Sequence, residues 1–244
     1  MQHRELAEMY AVESSHWWYA GKRLLFQRLL AGRLSQSHMR ILDVGCGTGA
    51  VALDFGRYGR VVACDRSRDA IAFARTRGVR DAVVSDATHV PFADASFDLV
   101  LAFDVIEHVD DDRAMLTELG RVLRPGGAVA IHVPAWPSLW SRHDEVLEHR
   151  RRYTRRALRG VIADAGLSAE YLGWASATIL LPAFALRMVR RMRPAADDGQ
   201  DVFALPGPLN AVMLGAYRVE AALAASTGLP FGLSLAAVAT RPDP

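Results

Sequence analysis

The 244-residue sequence predicts a doubly wound α/β fold, a mostly parallel sheet with helices on both faces. Three observations carry that expectation. Short apolar runs alternate with helical stretches from residue 40 to residue 174. The run Phe97 to Phe103 is apolar almost throughout, as a strand buried on both faces must be. The first apolar run leads into a glycine loop, which leads into a helix.

Taken in order, residues 1–38 read as helices, broken by the aromatic cluster Ser14-Ser15-His16-Trp17-Trp18-Tyr19. Arg40 to Val44 is the first strand and Val51 to Tyr58 the helix after the glycine loop. Arg60 to Cys64 is the second strand, ending on Asp65. Ala70 to Arg77 is a helix stopped by Gly78, a residue type that tolerates the left-handed C′ conformation. Asp81 to Ser85 and Phe97 to Phe103 are the third and fourth strands, and Asp111 to Leu123 is a helix. Arg124-Pro125-Gly126-Gly127 reads as a sharp stop before a fifth strand, Ala128 to Val133. Thr154 opens a helix running to Ala165, and Ser168 to Trp174 is a sixth strand. An apolar helix, Ile179 to Met192, then leads to a linker at Pro194 to Pro208. A helix from Leu209 to Ala225 and a last strand from Phe231 to Ala239 complete the pattern.

Composition narrows the function. Hydrophobic residues are 51% and charged residues 23%, enough for a sizeable core. The formal net charge of +2 lacks the basic excess of a dedicated nucleic-acid binder, so no nucleic-acid partner is expected. Every cation but Lys22 is Arg. Cys46 and Cys64 fall in predicted core positions, which argues against a structural disulfide and fits a reducing cytoplasm. The first residues, with Glu5, Glu8 and Glu13, lack the layout of a signal peptide. The apolar run Ala175 to Leu186 falls short of the ~18 to 20 residues of a bilayer span and contains Pro182.

The strongest local signal is Asp43-Val44-Gly45-Cys46-Gly47-Thr48-Gly49. Glycines permit the sharp turn and the close approach of a ligand to the backbone. Gly45-x-Gly47-x-x-Ala50, with Asp65 about 20 residues on, also satisfies a dinucleotide-binding pattern, so an NAD-dependent oxidoreductase is one reading.

The ensemble resembles the class I S-adenosylmethionine (SAM)-dependent methyltransferases of the type 11-like group. Residues 43–49 match the Asp-x-Gly-x-Gly-x-Gly motif of that family. Val61 to Asp65 resembles its second strand, and Ser85-Asp86-Ala87 with Val90-Pro91-Phe92 its adenine-side segment. Ser96 to Val100 through Glu107-His108-Val109 resembles the fourth strand and its loop, and Arg121 to Gly127 the turn before the fifth. The likeness spans about residues 40–133. It implies a seven-stranded Rossmann-like methyltransferase sheet of order 3-2-1-4-5-7-6 with the last strand antiparallel. Residues 1–38 would be a helical lid, and 39–244 the SAM-binding domain with a helical cap insertion at 175–230. It implies that Asp65 accepts from the ribose hydroxyls and Asp86 from the adenine amino group, two roles that carboxylates suit. Asp43 would hold the loop or attract the sulfonium and amino group. Gly45, Cys46, Gly47, Arg66, Ala87, Phe103 and Trp18 complete the expected cofactor set. The alternative for Asp65 and Asp86 is loop capping. For the His16 to Tyr19 aromatics it is plain helix packing.

The acceptor side is expected beyond the carboxyl ends of the strands. The segment after the fifth strand holds His143-Asp144-Glu145, then His149-Arg150-Arg151-Arg152-Tyr153. It resembles a methyltransferase subgroup with that loop. His143 or His149 can act as a proton acceptor, with Asp144 and Tyr153 beside them. The alternatives are a structural network or a metal site built from His143, Asp144 and His149. That spacing matches no strong metal signature, and no metal is expected. The Arg150 to Arg156 cluster is open to phosphate, carboxylate or nucleic acid, or is a solvated helix start. The 175–230 insertion is open to three readings: a cap on an apolar pocket, a dimer seam, or peripheral membrane contact through 175–193. The expectation is a cytoplasmic enzyme, monomer or homodimer, methylating a small or lipid-like metabolite. An RNA methyltransferase and a non-catalytic SAM-binding protein are the remaining alternatives.

Overall fold

Glycine loop and acidic strand ends are held at one end of a single twisted sheet. The computed structural model describes residues 3–35, 38–180 and 205–243. The strands are β1 (Met39–Val44), β2 (Gly59–Asp65), β3 (Ala82–Val84), β4 (Phe97–Phe103), β5 (Leu123–Pro134), β6 (Ser168–Ala175) and β7 (Ser234–Thr240). Their order is β3-β2-β1-β4-β5-β7-β6. All pairs are parallel except those of β7, which runs antiparallel to β5 and β6.

The helices are α1 (His3–Val12), α2 (Trp17–Leu29), α3 (Ala31–Leu34), α4 (Ala50–Phe55), α5 (Arg68–Arg77), α6 (Asp112–Val122), α7 (Arg142–Val146), α8 (Arg155–Asp164) and α9 (Gly207–Ser226). Their starts follow the capping rule: Ser67, Asp111 and Thr154 each accept from the backbone N–H three residues on. Gly78 closes α5 with φ 110°.

Alternation along β4 explains its unbroken apolar sequence. Val100 and Ala102 face α6 and α8, packing with Met115, Leu116, Leu158 and Ile162. Leu99, Leu101 and Phe103 face the opposite way, into Leu25 and Phe26 of α2 and Tyr217 and Ala221 of α9. Both faces are dry, so neither tolerates a polar residue.

Three local expectations change. The stop at Arg124 to Gly127 is a bulge inside β5: Phe97 pairs with Leu123, and pairing resumes at Leu99 with Ala128. Gly126, at φ 71°, lets the extra residues loop out and rejoin the ladder. The aromatics do not break the N-terminal helices; the break is Ser14 to His16, and Trp17 opens α2 with the Trp18 N–H donating to His16 Nδ1. Gly207 and Pro208, expected in a linker, begin α9, where a proline in the first turn gives up no helical bond. Most of the helix expected at 179–192 and of the linker at 194–208 lies outside the described residues.

Candidate functional site

The loop after β1 turns through three left-handed glycines. Gly45 and Gly47, at φ 64° and 51°, show why the sequence needs them. A side chain on Gly45 would collide with Val105, at the end of β4, and one on Gly47 would reach within 2.6 Å of Met9 Cε of α1. The chain is thus pinned between the β4 end and the N-terminal helices.

Three carboxylates surround this loop. Asp65 accepts from the Gly47 N–H at 3.0 Å through one oxygen and from the Ser67 N–H at 2.8 Å through the other. Burial raises its pKa, and those two bonds oppose the rise. Asp43 is 2% exposed, and its Oδ2 has no partner. Burial pushes its pKa well above the usual carboxylate range, and the charges of Glu13 and Asp65 push the same way. Glu13, absent from the expected site, accepts from the Thr48 hydroxyl and lies 3.5 Å from Arg77. An unpartnered buried oxygen among acids suits a ligand that is cationic at one end and a hydroxyl donor at the other, as SAM is.

The other expected cofactor residues divide. Arg66 is exposed just past β2, and its charge acts on both Asp65 and Asp86. Asp86 accepts from the N–H and hydroxyl of Thr88 through Oδ1, and these bonds hold its pKa below the usual range. It is exposed, and Ala87 beside it packs on the core edge. Cys46 presents only backbone to the loop. Its N–H donates to the Cys64 carbonyl, while the side chain packs among Ala52, Ala63, Ile71 and Ala74. Both cysteines are free and buried, and burial pushes the Cys64 thiol up to about 12. Phe103 stacks on Phe26 at 4.2 Å inside the core. Trp18 meets Tyr217 edge-on at 6.3 Å in the seam between α2 and α9. The lone lysine, Lys22, pairs with Asp104, which also bonds His132 Nδ1. Burial alone would raise the Asp104 pKa, but the charges of His132 and Lys22 bring it well below the usual range.

Of the residues expected on the acceptor side, His149 bonds Asp144, which is fully buried. Its Oδ2 accepts from the Ser141 N–H and hydroxyl, and its Oδ1 from His149 Nδ1 at 2.9 Å and Arg152 Nε at 2.7 Å. Burial opposes ionisation, yet the bonds from His149 and Arg152 bring its pKa below the usual range. Asp144 is therefore an orienting anion. Tyr153 donates to Asp112 at 2.8 Å, and burial raises its pKa far above its ordinary value, so it too holds structure. His143 is the second residue of α7 and is not among the groups gathered at His149. Those groups are Glu107 and His108, with one donor atom of each residue within 4.8 Å of the others. The expected arginine cluster is largely spent internally: Arg151 on the Val109 and Asp110 carbonyls, Arg152 on the Ala135 carbonyl, Arg155 on the Leu172 carbonyl. Two surface hollows, of about 460 and 390 Å³, lie by the amino end of β2, away from all of these groups.

Comparisons with known proteins agree with this geometry. Residues 42–131 match the methyltransferase domain family Methyltransf_11. The methyltransferase GfsG of Streptomyces halstedii is 39% identical over 124 residues, 46% of this chain and 43% of that one. The chain spans about half the length of the curated relatives it matches, from 43% to 61%. Among solved structures, a chain from the complex of the Haloferax volcanii Trm112 methyltransferase activator with a methyltransferase superposes with TM-score 0.64. It is 20% identical, over 99% of this chain and 96% of that one. The [4+2]-cyclase SpnF superposes with TM-score 0.63 at 22% identity, over 99% and 93% of the two chains. The architecture by itself thus leaves the reaction open. It is the motif-bearing segment, with the strand order around it, that is informative: residues 42–131 match a methyltransferase domain, set in a sheet with the strand order of the Rossmann-like methyltransferase fold.

Proposed function

We propose that the chain transfers the methyl group of SAM to a small or lipid-like metabolite. The observation that carries the reading is the glycine loop faced by Glu13, Asp43 and Asp65. SAM, when bound, supplies an activated methyl group, so the protein's task is to position, to shield and to manage one proton. Asp65 turns toward the ribose hydroxyls, Asp86 toward the adenine edge, and Asp43 and Glu13 offer acceptor oxygens to the amino and sulfonium groups. Residues 1–38 act as the lid, with Met9 over Gly47 and Glu13 accepting from the Thr48 hydroxyl. The insertion 175–230 acts as the acceptor cap. Its described part, α9, exposes Leu209, Val212, Val219 and Leu223, which suits an apolar acceptor. Membrane contact through 175–193 rests mainly on residues outside those described, and no described helix is long and apolar enough to cross a membrane.

His149 is the acceptor-side residue, ahead of His143. Asp144 fixes its Nδ1, which leaves Nε2 to meet the acceptor. His149→Ala is expected to lower turnover at least ~100-fold with SAM affinity nearly unchanged. Asp144→Asn is expected to lower the melting temperature as well. Turnover is read as S-adenosylhomocysteine release across a panel of hydroxylated and aminated metabolites. Near-normal turnover in His149→Ala would remove it from the acceptor side. Tight SAM binding with no product from any acceptor favours a binding protein over an enzyme.

A further inference from the structure

Glu107 is the middle residue of the short turn Ile106–His108 after β4, is fully buried, and has no hydrogen-bond partner on either carboxylate oxygen. A buried carboxylate without a donor is unfavourable unless a cation or a proton meets it. Two imidazoles stand beside it. His108 follows it in the turn, and His149 reaches it from the loop after β5, the two rings 4.8 Å apart and near perpendicular. Each ring is already held by one nitrogen: His149 by Asp144 at 2.9 Å, His108 by the Glu148 carbonyl. Metal-ligating histidines are held in this way, one nitrogen on a carboxylate or carbonyl and the other free for the ion.

We propose that Glu107, His108 and His149 bind a divalent transition-metal ion, oriented by Asp144 and the Glu148 carbonyl. Two imidazoles with one carboxylate suit Zn²⁺, Mn²⁺ or Fe²⁺, whereas Mg²⁺ and Ca²⁺ favour all-oxygen shells. Metal–donor bonds of roughly 2.0 to 2.2 Å place ligand atoms roughly 3 to 3.5 Å apart. The present spread, within 4.8 Å, closes to that with small side-chain rotations. Three protein ligands leave a coordination position for water or substrate. The cluster lies on the turn next to Val105, which abuts Gly45, so the open position belongs to the acceptor side. The proposal rests on the acceptor-side reading of His149 and deepens it: the ion, held by that imidazole, takes an acceptor hydroxyl. The bound hydroxyl releases its proton to solvent more readily. Its oxygen then bonds the methyl carbon as the carbon–sulfur bond of SAM breaks, giving a methyl ether and S-adenosylhomocysteine.

The test uses the full chain stripped with chelator and titrated by calorimetry with Zn²⁺ and, separately, Mn²⁺. One ion per chain is expected, with affinity at least ~10-fold weaker in Glu107→Gln and in His149→Ala, and ~10- to 100-fold weaker in Asp144→Asn. Electron spin echo modulation of Mn²⁺ on the unmodified protein should show imidazole nitrogen couplings, a readout that needs no variant to fold. Absence of stoichiometric binding by both ions overturns the proposal. So does Mn²⁺ bound without nitrogen coupling, or affinity indifferent to Glu107→Gln in a protein of unchanged circular dichroism. SAM titrated into the same samples separates the two readings: SAM binding without metal binding sinks the metal site alone, and metal binding without SAM binding sinks the cofactor assignment alone.

Discussion

Asp65 closes the glycine loop through Gly47, and the ribose contact proposed for it would be a second duty that a sequence motif cannot separate from the first. Asp65→Ala is expected to weaken SAM binding by roughly 1.5 to 3 kcal/mol, the range for charge-assisted hydrogen bonds. Titration calorimetry checks it, and unchanged affinity removes Asp65 from the site. The turns at Gly45 and Gly47 were legible because a left-handed backbone demands glycine locally. The side-chain surroundings of Cys46, Phe103 and Trp18 were not, because the neighbours they pack on, such as Ala74, Phe26 and Tyr217, lie far off in sequence. Glu13 and Glu107 escaped for the converse reason. Nothing in an isolated Glu announces burial, although the Glu107-His108 pair closing an apolar strand was a signal available to be read.

The element that most constrains the N-terminal helices is the α2–α9 seam. A Cβ on Gly21 would fall 2.5 Å from the Tyr217 ring, so the two helices approach only because that position is bare. Gly21→Val should cost about 1 to 3 kcal/mol by overpacking, read as a lowered denaturant midpoint with an unchanged m-value. Unaltered stability would mean that the helices are not in contact there. A second device ties α6 to the segment after β3: Glu118 accepts from the Val90 N–H and pairs with Arg121, which also bonds the Phe92 carbonyl. The Arg121 hydrogen bond holds the Glu118 carboxyl below its ordinary 4.5. A folded pKa below the unfolded one gives stability that is full above about 4.5 and lost as pH falls through the folded value. Glu118→Gln should therefore flatten the acid limb of melting temperature against pH and leave the neutral side little changed. An acid limb identical to that of the parent protein would show that the pair contributes nothing. Element positions were readable from apolar period and caps. The bulge at 124–127 was not, since Pro-Gly-Gly marks a turn equally well whether the ladder ends or resumes.

At the scale of the whole molecule, the strand order does the gathering. The sheet reverses direction of growth between β1 and β4, and the crevice outside those two carboxyl ends is where an open α/β sheet receives its ligand. The loop from β1 and the turn from β4 meet there through Gly45 and Val105, with Asp65 arriving from β2 and His149 from beyond β5. The same crevice serves NAD in other doubly wound folds, so the cofactor must be separated by binding and not by architecture. A ligand that binds only the folded chain stabilises it by mass action, about 2.7 kcal/mol at a hundred times its Kd. For a domain of this size each kcal/mol raises the melting temperature by about 2 to 4 °C. SAM or S-adenosylhomocysteine at that excess should therefore raise it by roughly 5 to 10 °C. NAD at equal concentration should leave it within error, because the carboxyl groups of Glu13, Asp43 and Asp65 around the loop do not suit the pyrophosphate that it would have to cradle. Gly47→Val should abolish the SAM shift, since a branched side chain cannot take φ 51° without strain. A shift with NAD and none with SAM would reassign the glycine loop, and with it the reading of the three carboxylates around it.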